Sequence, residues 1–177
     1  LFFSLIAIAL RRIEFSYPTI GIILAGTAFY LSYLSYTTYG ERNYDGPEQL
    51  NYVLYLIEHK ALPPGSHCFI CHHPPLYYVL AAFFYAFFKA TALVDPVRGL
   101  QLLSLGIFLF FIVFGVLLVK RFTQNQRTIS LATALIVFWP YSVHNSVRLH
   151  NDTLICALMA VCFYFLVSPF QYLLKSF

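Results

Sequence analysis

The sequence predicts an all-α fold, namely a polytopic bundle of transmembrane helices. Of the 177 residues, 60% are hydrophobic and only 10% are charged, and the mean hydropathy is +0.72. A soluble domain of this size does not need so much apolar surface. Because a spanning helix requires about 20 mostly apolar residues, we expect spans at about 19–36, 99–119, 129–145 and 153–169. Since the chain begins with Leu1 and ends soon after an apolar run, we interpret residues 1–177 as a single membrane module that is truncated at both ends.

Basic residues beside the apolar runs predict the orientation of the spans. The positive-inside rule places such clusters on the cytoplasmic side, and they occur at Arg11–Arg12, at 120–127 and at Lys175. The chain must then cross the membrane an even number of times between the first two clusters. Residues 37–98 and 142–152 therefore form two external loops on one side of the membrane. A further crossing by the aromatic segment 76–94 would place the basic loop at 120–127 outside, so we expect this segment to be an interfacial or re-entrant helix. The alternative is that it is an ordinary span and that the charge rule is broken.

The first external loop opens with two acids at the start of a predicted amphipathic helix. We place this helix at 46–59, because apolar residues recur at helical spacing, at Leu50, Val53, Leu54 and Ile57. Asp45 at the N-cap and Glu48 three residues later fit a capping box. Asp45 also has the chemistry of a general base placed where the helix meets the membrane surface. The two roles do not exclude each other.

A short cysteine motif follows in the same loop. Cys68-Phe69-Ile70-Cys71-His72 has the pattern of covalent c-type haem attachment, and Cys68, Cys71, His72 and His73 could form a zinc site. The haem pattern is short, occurs once and is followed by two prolines, so we expect a loop disulfide or two free thiols instead. We assign no metal ligand. The cofactor is unknown, with a divalent metal left open.

Further polar residues stand near the predicted membrane surface. His73 precedes Pro74–Pro75, and these prolines fix the chain as extended and then allow a helix to start. They would hold the imidazole rigidly at the mouth of the next helix. Arg98 lies at the outer end of the second long span, and Arg148 and Asp152 lie in the second external loop. Snorkelling and helix capping would explain these residues, whereas a functional interpretation has the arginines neutralise a lipid phosphate.

In their order and spacing, these motifs resemble those of the polytopic glycosyltransferases of the GT-C class, in particular the branch of protein O-mannosyltransferases and lipid A aminoarabinose transferases. Those enzymes carry an acidic motif in the first external loop, then His-Pro-Pro-Leu, then an arginine at the head of the next span, and later Arg-x-x-x-Asp-x-Leu. The likeness covers about three quarters of the chain, through Asp45 and Glu48, His73 to Leu76, Arg98, and Arg148 to Leu154. Here the acids read Asp-Gly-Pro-Glu instead of an adjacent Asp-Glu pair.

The resemblance implies a GT-C-like N-terminal module that transfers a sugar from a polyprenyl-phosphate donor to an acceptor at the extracytoplasmic membrane face. It implies catalytic roles for Asp45, as the base, and for Glu48. It also implies that four further residues bind the substrate, namely His73, Arg98, Arg148 and Asp152. The two arginines are candidates to bind the donor phosphate. The partners would be the lipid donor, membrane lipid and the missing remainder of the chain, without which the fragment would be inactive.

Composition and charge restrict the other function classes. The net charge of +4 needs no nucleic-acid partner, because the basic residues sit in short clusters beside apolar runs. We expect a multi-pass integral membrane protein of the bacterial inner membrane or the endoplasmic reticulum. The alternative is a fragment of a non-enzymatic transporter or assembly protein, although a transporter would place polar groups near the bilayer midplane. A membrane redox protein that uses Cys68 and Cys71 is a further alternative.

Overall fold

The chain folds as a set of packed helices. The computed structural model describes residues 2–40 and 45–175, with side chains described as far as 167. Over these ranges it contains eight helices and no strand, which confirms the predicted all-α class. Residues 41–44 and the side chain of Lys175 lie outside this description. The helices are α1 Phe2–Arg12, α2 Tyr17–Tyr36, α3 Gly46–His59, α4 Leu76–Thr91, α5 Pro96–Phe122, α6 Gln126–Phe138, α7 Pro140–Asn145 and α8 Asn151–Lys175.

Two of these helices, α2 and α5, are long and apolar enough to cross a membrane, judged by length and composition. They share an apolar core with α6. Gly26 on α2 lies so close to α6 that an added Cβ would fall 2.1 Å from Cγ1 of Val137. One turn further on, the buried Tyr30 hydroxyl donates to the Val137 carbonyl. Because α6 ends at Phe138, that carbonyl has no partner within its own helix, and Tyr30 supplies one.

The predicted span at 129–145 comprises two helices, α6 and α7. Trp139 between them has an extended backbone, with φ −59° and ψ 130°, as a residue before proline usually has. Pro140 has no N–H and can begin a helix but not continue one. The 13 residues of α6 are fewer than the roughly 20 that a straight crossing requires. The chain turns at Trp139, and α7 leads into the segment before α8.

α4 packs against the first half of α5. The Tyr77 hydroxyl is 3.1 Å from Ser104 Oγ. Phe88, about three turns later on α4, packs against Gly99, which is only about one and a half turns before Ser104. Contacts that are roughly 16 Å apart on α4 are thus only roughly 8 Å apart along α5. α4 thus contacts α5 at both of its own ends, and the interfacial placement of α4 that the charge parity favours stays a prediction.

α3 packs on α4 through Tyr52 and Tyr78, whose stacked rings have centroids 3.9 Å apart. The bounds of α3, Gly46–His59, coincide with the predicted 46–59. The buried residues are Gly46, Gln49, Tyr52 and Val53, and Leu54 is exposed. Of the apolar residues that predict the helix, Val53 is buried, and Leu50 and Ile57 are partly buried against the same cluster. The stacked rings and a hydrogen bond from Tyr78 to Gln49 turn the helix toward this more polar face.

α8 runs antiparallel to α5. Near the end of α5, the Arg121 guanidinium lies 4.7 Å from the centre of the Tyr164 ring and donates to the Tyr164 hydroxyl at 2.8 Å. The first turn of α8 instead borders Phe108 and Phe111, in the middle of α5. Both loops, the one between α2 and α5 and the one before α8, therefore meet at the same end of the bundle.

Candidate functional site

Five ionisable side chains from three separate segments, those that precede α3, α4 and α8, lie close to one another. Four of them interact electrostatically with His150, namely Asp45, His73, Arg148 and Asp152. Asp45 directly precedes α3, His73 precedes α4, and the other three flank the start of α8. We call these five residues the polar cluster. The four neighbours of His150 are all among the site residues that the sequence predicted, and the fold brings them together.

His150 is the best-defined member of the polar cluster. Its Nδ1 accepts a hydrogen bond from the Asp152 backbone N–H at 3.2 Å, so the imidazole caps the start of α8 as short polar side chains do. Burial lowers the pKa of His150, and the charges of Arg148 and His73 act in the same direction, while Asp152 and Asp45 oppose them. The imidazole is therefore neutral near pH 7, with its proton on Nε2. The 3.3 Å approach of Nδ1 to Asp152 Oδ2 then follows from the cap and is not an ion pair.

The carboxylate of Asp45 does not cap α3. Asp45 occupies the N-cap position, but its side chain makes no capping hydrogen bond, so the predicted capping box is wrong. The helix begins instead with Gly46 and Pro47. Proline suits this position because it has the helical φ and needs no partner for an N–H. The Asp45 carboxylate is thus available to the polar cluster.

Glu48 lies beside a different neighbour. Its Oε2 is buried and has no hydrogen-bond partner among the described residues. Burial raises the pKa of Tyr39, and the nearby charge of Glu48 raises it further. Glu48 is therefore placed toward the segment that follows α2, and it is not among the groups whose charge acts on His150. Its catalytic role stays a prediction.

His73 is joined to α3 and α4 by a chain of side-chain hydrogen bonds. Its Nδ1 lies 3.2 Å from the Tyr78 hydroxyl, which donates to Oε1 of Gln49 at 2.7 Å. Tyr78 and Gln49 are both fully buried. The His73 N–H donates to the Ile70 carbonyl at 2.9 Å, and Pro74–Pro75 follow directly. Both the backbone and the imidazole of His73 are therefore held in place.

Cys68 and Cys71 form a disulfide, which is one of the two states expected for this loop. The Cys71 N–H also donates to the Cys68 carbonyl at 3.2 Å, so the motif closes into a tight turn before His73. With both sulfurs in the disulfide, neither is available as a zinc thiolate or for a thioether bond to haem. Within the part of the chain that the structure describes, no group of three or more His, Cys, Asp or Glu residues has the arrangement of a metal site.

Arg98 ties two helix ends together. Its Nη1 donates to the carbonyls of Leu34 and Thr37, at 2.7 and 2.8 Å, and to Oε1 of Gln101 at 3.0 Å. The two carbonyls lie at the end of α2, where backbone acceptors lack helical partners. The structure therefore gives Arg98 a structural contact, and it is not among the charges that act on His150. Its role as a phosphate ligand stays a prediction.

A pocket of about 360 Å³ adjoins the polar cluster and shares Asp152 with it. The Asp152 side chain is 53% exposed, whereas the neighbouring Thr153 hydroxyl is buried and has no hydrogen-bond partner among the described residues. Aromatic and aliphatic side chains form most of the wall. The lining residues are Phe108, Phe111, Tyr141, Ser142, Asn145, Asp152, Thr153, Ile155 and Cys156.

Sequence reasoning does not identify three residues of this region, namely His150, Gln49 and Tyr78. The available signal for His150 is its position two residues before Asp152, where a side chain can cap the following helix. Gln49 is a polar residue one position away from the apolar stripe of α3. Tyr78 carries no signal beyond its place in an aromatic helix, so only the packing of α3 on α4 reveals its hydrogen bonds.

Comparison of the chain with models of known protein families, with curated proteins and with solved structures gave no match. The case for a function therefore rests on the polar cluster and on the pocket beside it.

Proposed function

We propose that this chain is part of a multi-pass membrane glycosyltransferase that transfers a sugar from a polyprenyl-phosphate donor to an acceptor at the extracytoplasmic membrane face. The observation that carries the proposal is the convergence of the polar cluster, from three separate segments, beside a mainly apolar pocket. A lipid donor needs both surfaces at once, because its tail requires an apolar groove and its head requires charged groups. The expected location is the bacterial inner membrane or the endoplasmic reticulum.

The pocket suits the part of the donor closest to its phosphate. Phe108, Phe111 and Ile155 offer the apolar wall that the first isoprene units of a polyprenyl chain would require. Arg148 is the cation of the polar cluster, and a guanidinium matches the geometry of phosphate oxygens. We therefore assign the tail to the pocket and the donor phosphate to Arg148.

The transfer step assigns one role to Asp45. The acceptor hydroxyl attacks the anomeric carbon of the sugar and forms the new C–O bond. The bond from that carbon to the phosphate oxygen breaks, and polyprenyl phosphate leaves with the bonding electron pair. The Asp45 carboxylate takes the hydroxyl proton, as a general base. The absence of a capping bond from Asp45 to α3 supports this role, because the carboxylate is not committed to the backbone.

The first prediction is that Asp45→Asn in the full-length protein slows sugar transfer by about 10² to 10⁴-fold, the usual effect of losing a general base. Asparagine keeps the size and polarity of the side chain but cannot take the proton. The measurement is the rate of sugar transfer from a polyprenyl-phosphate donor in membranes or detergent, with expression and thermal unfolding as checks on folding.

Glu58→Gln is the matched control. Glu58 is an exposed acid on the same helix, about 20 Å along the helix axis from Asp45, and we expect this variant to keep its rate. Equal rates for wild type and Asp45→Asn would remove Asp45 as the base and leave Glu48 and Asp152 as the acids to test. No transfer by the wild-type protein from any polyprenyl-phosphate sugar would contradict the proposed function itself.

A further inference from the structure

The hydrogen-bond chain Gln49–Tyr78–His73 determines which nitrogen of His73 carries the proton. A phenol has one hydrogen, and Tyr78 donates it to Oε1 of Gln49. The Tyr78 oxygen can therefore only accept a hydrogen bond from His73. The ring nitrogen 3.2 Å from that oxygen is Nδ1. In the neutral imidazole, Nδ1 must then hold the proton, and Nε2 presents a lone pair.

Burial keeps this chain from rearranging. Tyr78 and Gln49 are both 0% exposed, so water cannot offer either of them a replacement partner. The Tyr78 ring is also fixed by its stack on Tyr52. On the other side, the two prolines after His73 restrict the backbone that carries the imidazole. The direction of the two hydrogen bonds follows from the orientation of the Gln49 amide, whose Oε1 faces Tyr78, while its Nε2 is buried without a hydrogen-bond partner among the described residues.

In His150, the second imidazole of the polar cluster, the proton lies on the other ring nitrogen. Nδ1 of His150 accepts from the Asp152 N–H, so its proton lies on Nε2. The cluster thus offers an acceptor nitrogen on His73 and a donor nitrogen on His150. A hydroxyl can satisfy both, because it donates and accepts. A phosphate dianion has only acceptor oxygens and matches His150 but not neutral His73.

We infer that Gln49 and Tyr78 are positioning residues that hold His73 in its Nδ1–H tautomer, so that His73 gives the site a hydrogen-bond acceptor and binds a hydroxyl of the substrate instead of its phosphate. The identity of the substrate in this inference rests on the proposed function. The tautomer does not, because it follows from the hydrogen bonds alone.

The test is nitrogen NMR on the full-length protein labelled with ¹⁵N-histidine, at a pH well above the ordinary pKa of histidine, which is about 6.5. The chain has six histidines, and His73 is assigned by the signals that disappear in His73→Gln. The second prediction is that His73 has a protonated Nδ1 and an unprotonated Nε2. In Gln49→Met the Tyr78 hydroxyl loses its acceptor and turns to His73 Nδ1, so the proton moves to Nε2. In Tyr78→Phe the constraint disappears and both tautomers appear.

Tyr52→Phe is the matched control, because it removes a hydroxyl from the ring stacked on Tyr78 and leaves the chain to His73 intact. We expect its His73 signals to equal those of the wild type. A wild-type His73 that carries its proton on Nε2, or a tautomer that stays the same in both Gln49→Met and Tyr78→Phe, would overturn the inference. The use of two variants keeps the test decisive if one of them fails to fold.

The kinetic consequence separates this inference from the proposed function. In Tyr78→Phe we expect the KM for the hydroxyl acceptor to rise several-fold while the KM for the lipid donor stays unchanged. If the donor KM rises instead, His73 binds the phosphate and the substrate assignment is wrong. If the wild type transfers no sugar, the glycosyltransferase proposal fails while the NMR result still decides the tautomer.

Discussion

At the scale of single residues, His150 shows how a helix start can set the charge of a side chain. The hydrogen bond from the Asp152 N–H needs a lone pair on Nδ1, and a doubly protonated imidazole has none. Burial acts in the same direction, since it disfavours the charged form. Capping and desolvation therefore both favour the neutral imidazole, whereas the carboxylates of Asp152 and Asp45 favour the protonated one.

The third prediction concerns the pH dependence of stability. In the folded chain the pKa of His150 lies below the ordinary value of about 6.5. As the pH falls below about 6.5, His150 is therefore protonated in the unfolded chain before it is protonated in the folded chain. The free energy of unfolding should therefore decrease from pH 7.5 to pH 5.5. We expect a smaller decrease in His150→Asn, because asparagine caps a helix without titrating.

The measurement is the thermal midpoint in detergent at several pH values. The slopes are compared between variants because other charged groups face His150, namely Asp45, His73, Arg148 and Asp152. His67→Asn, at an exposed loop position, is the control and should keep the wild-type slope. Identical slopes for wild type and His150→Asn would show that His150 does not reject the proton in the folded state.

At the scale of the helix, the sequence predicts where elements lie better than how they face one another. Hydrophobic periodicity places α3 within the observed bounds, yet it does not indicate that Gln49 and Tyr52 are buried while Leu54 is exposed. Periodicity counts apolar side chains, whereas the face of α3 is decided by a ring stack and a buried hydrogen bond. Pro140 similarly marks the break between α6 and α7. A mean hydropathy over about 20 residues does not detect this break, so the sequence predicts one span at 129–145.

The fourth prediction tests the contact that sets the position of α4. A Cβ on Gly99 would lie 2.2 Å from Cδ2 of Phe88 and 2.6 Å from its Cγ, so the ring must move as a whole. We expect Gly99→Ala to destabilise the fold by about 1–3 kcal/mol, as overpacking does. Replacing Phe88 by Leu in the same chain should recover part of this loss, because the two sites are in contact.

Gly106→Ala is the control on the same helix. An added Cβ there would meet nothing within 4 Å, and alanine is the better helix former by up to about 1 kcal/mol. Thermal unfolding of the three variants gives the comparison. If Gly99→Ala is as stable as Gly106→Ala, α4 does not pack against α5 at this position.

At the scale of the whole molecule, charge parity predicts the feature that matters most, namely that both polar loops gather at one end. Four of the five members of the polar cluster could be selected from motifs and spacing. His150 could not, because its importance comes from burial, which sequence alone does not give. The sequence does select Arg98, but it does not give the bonds of Arg98 to the end of α2, because these depend on two helix ends meeting in space.

The fifth prediction concerns the proposed membrane topology, with residues 37–98 outside and residues 120–128 inside. Single cysteines at Ser66 and at Gln124 are tested with a membrane-impermeant thiol reagent in sealed cells. The background lacks Cys156 and Cys162, which are the free cysteines of the described residues. We expect labelling at position 66 and none at position 124 until the membrane is opened. The reverse pattern would overturn the topology.

The hydrogen bonds from Arg98 to the carbonyls of Leu34 and Thr37 have a consequence for how the sequence can change during evolution. They join the residue that leaves α2 to the residue that enters α5, so the long segment between them starts and finishes at nearly the same point. A segment whose ends meet can lengthen, shorten or be exchanged at little entropic cost and without moving the helices that carry it. The length of the connection between α2 and α5 can therefore vary while Arg98 keeps the two helix ends together.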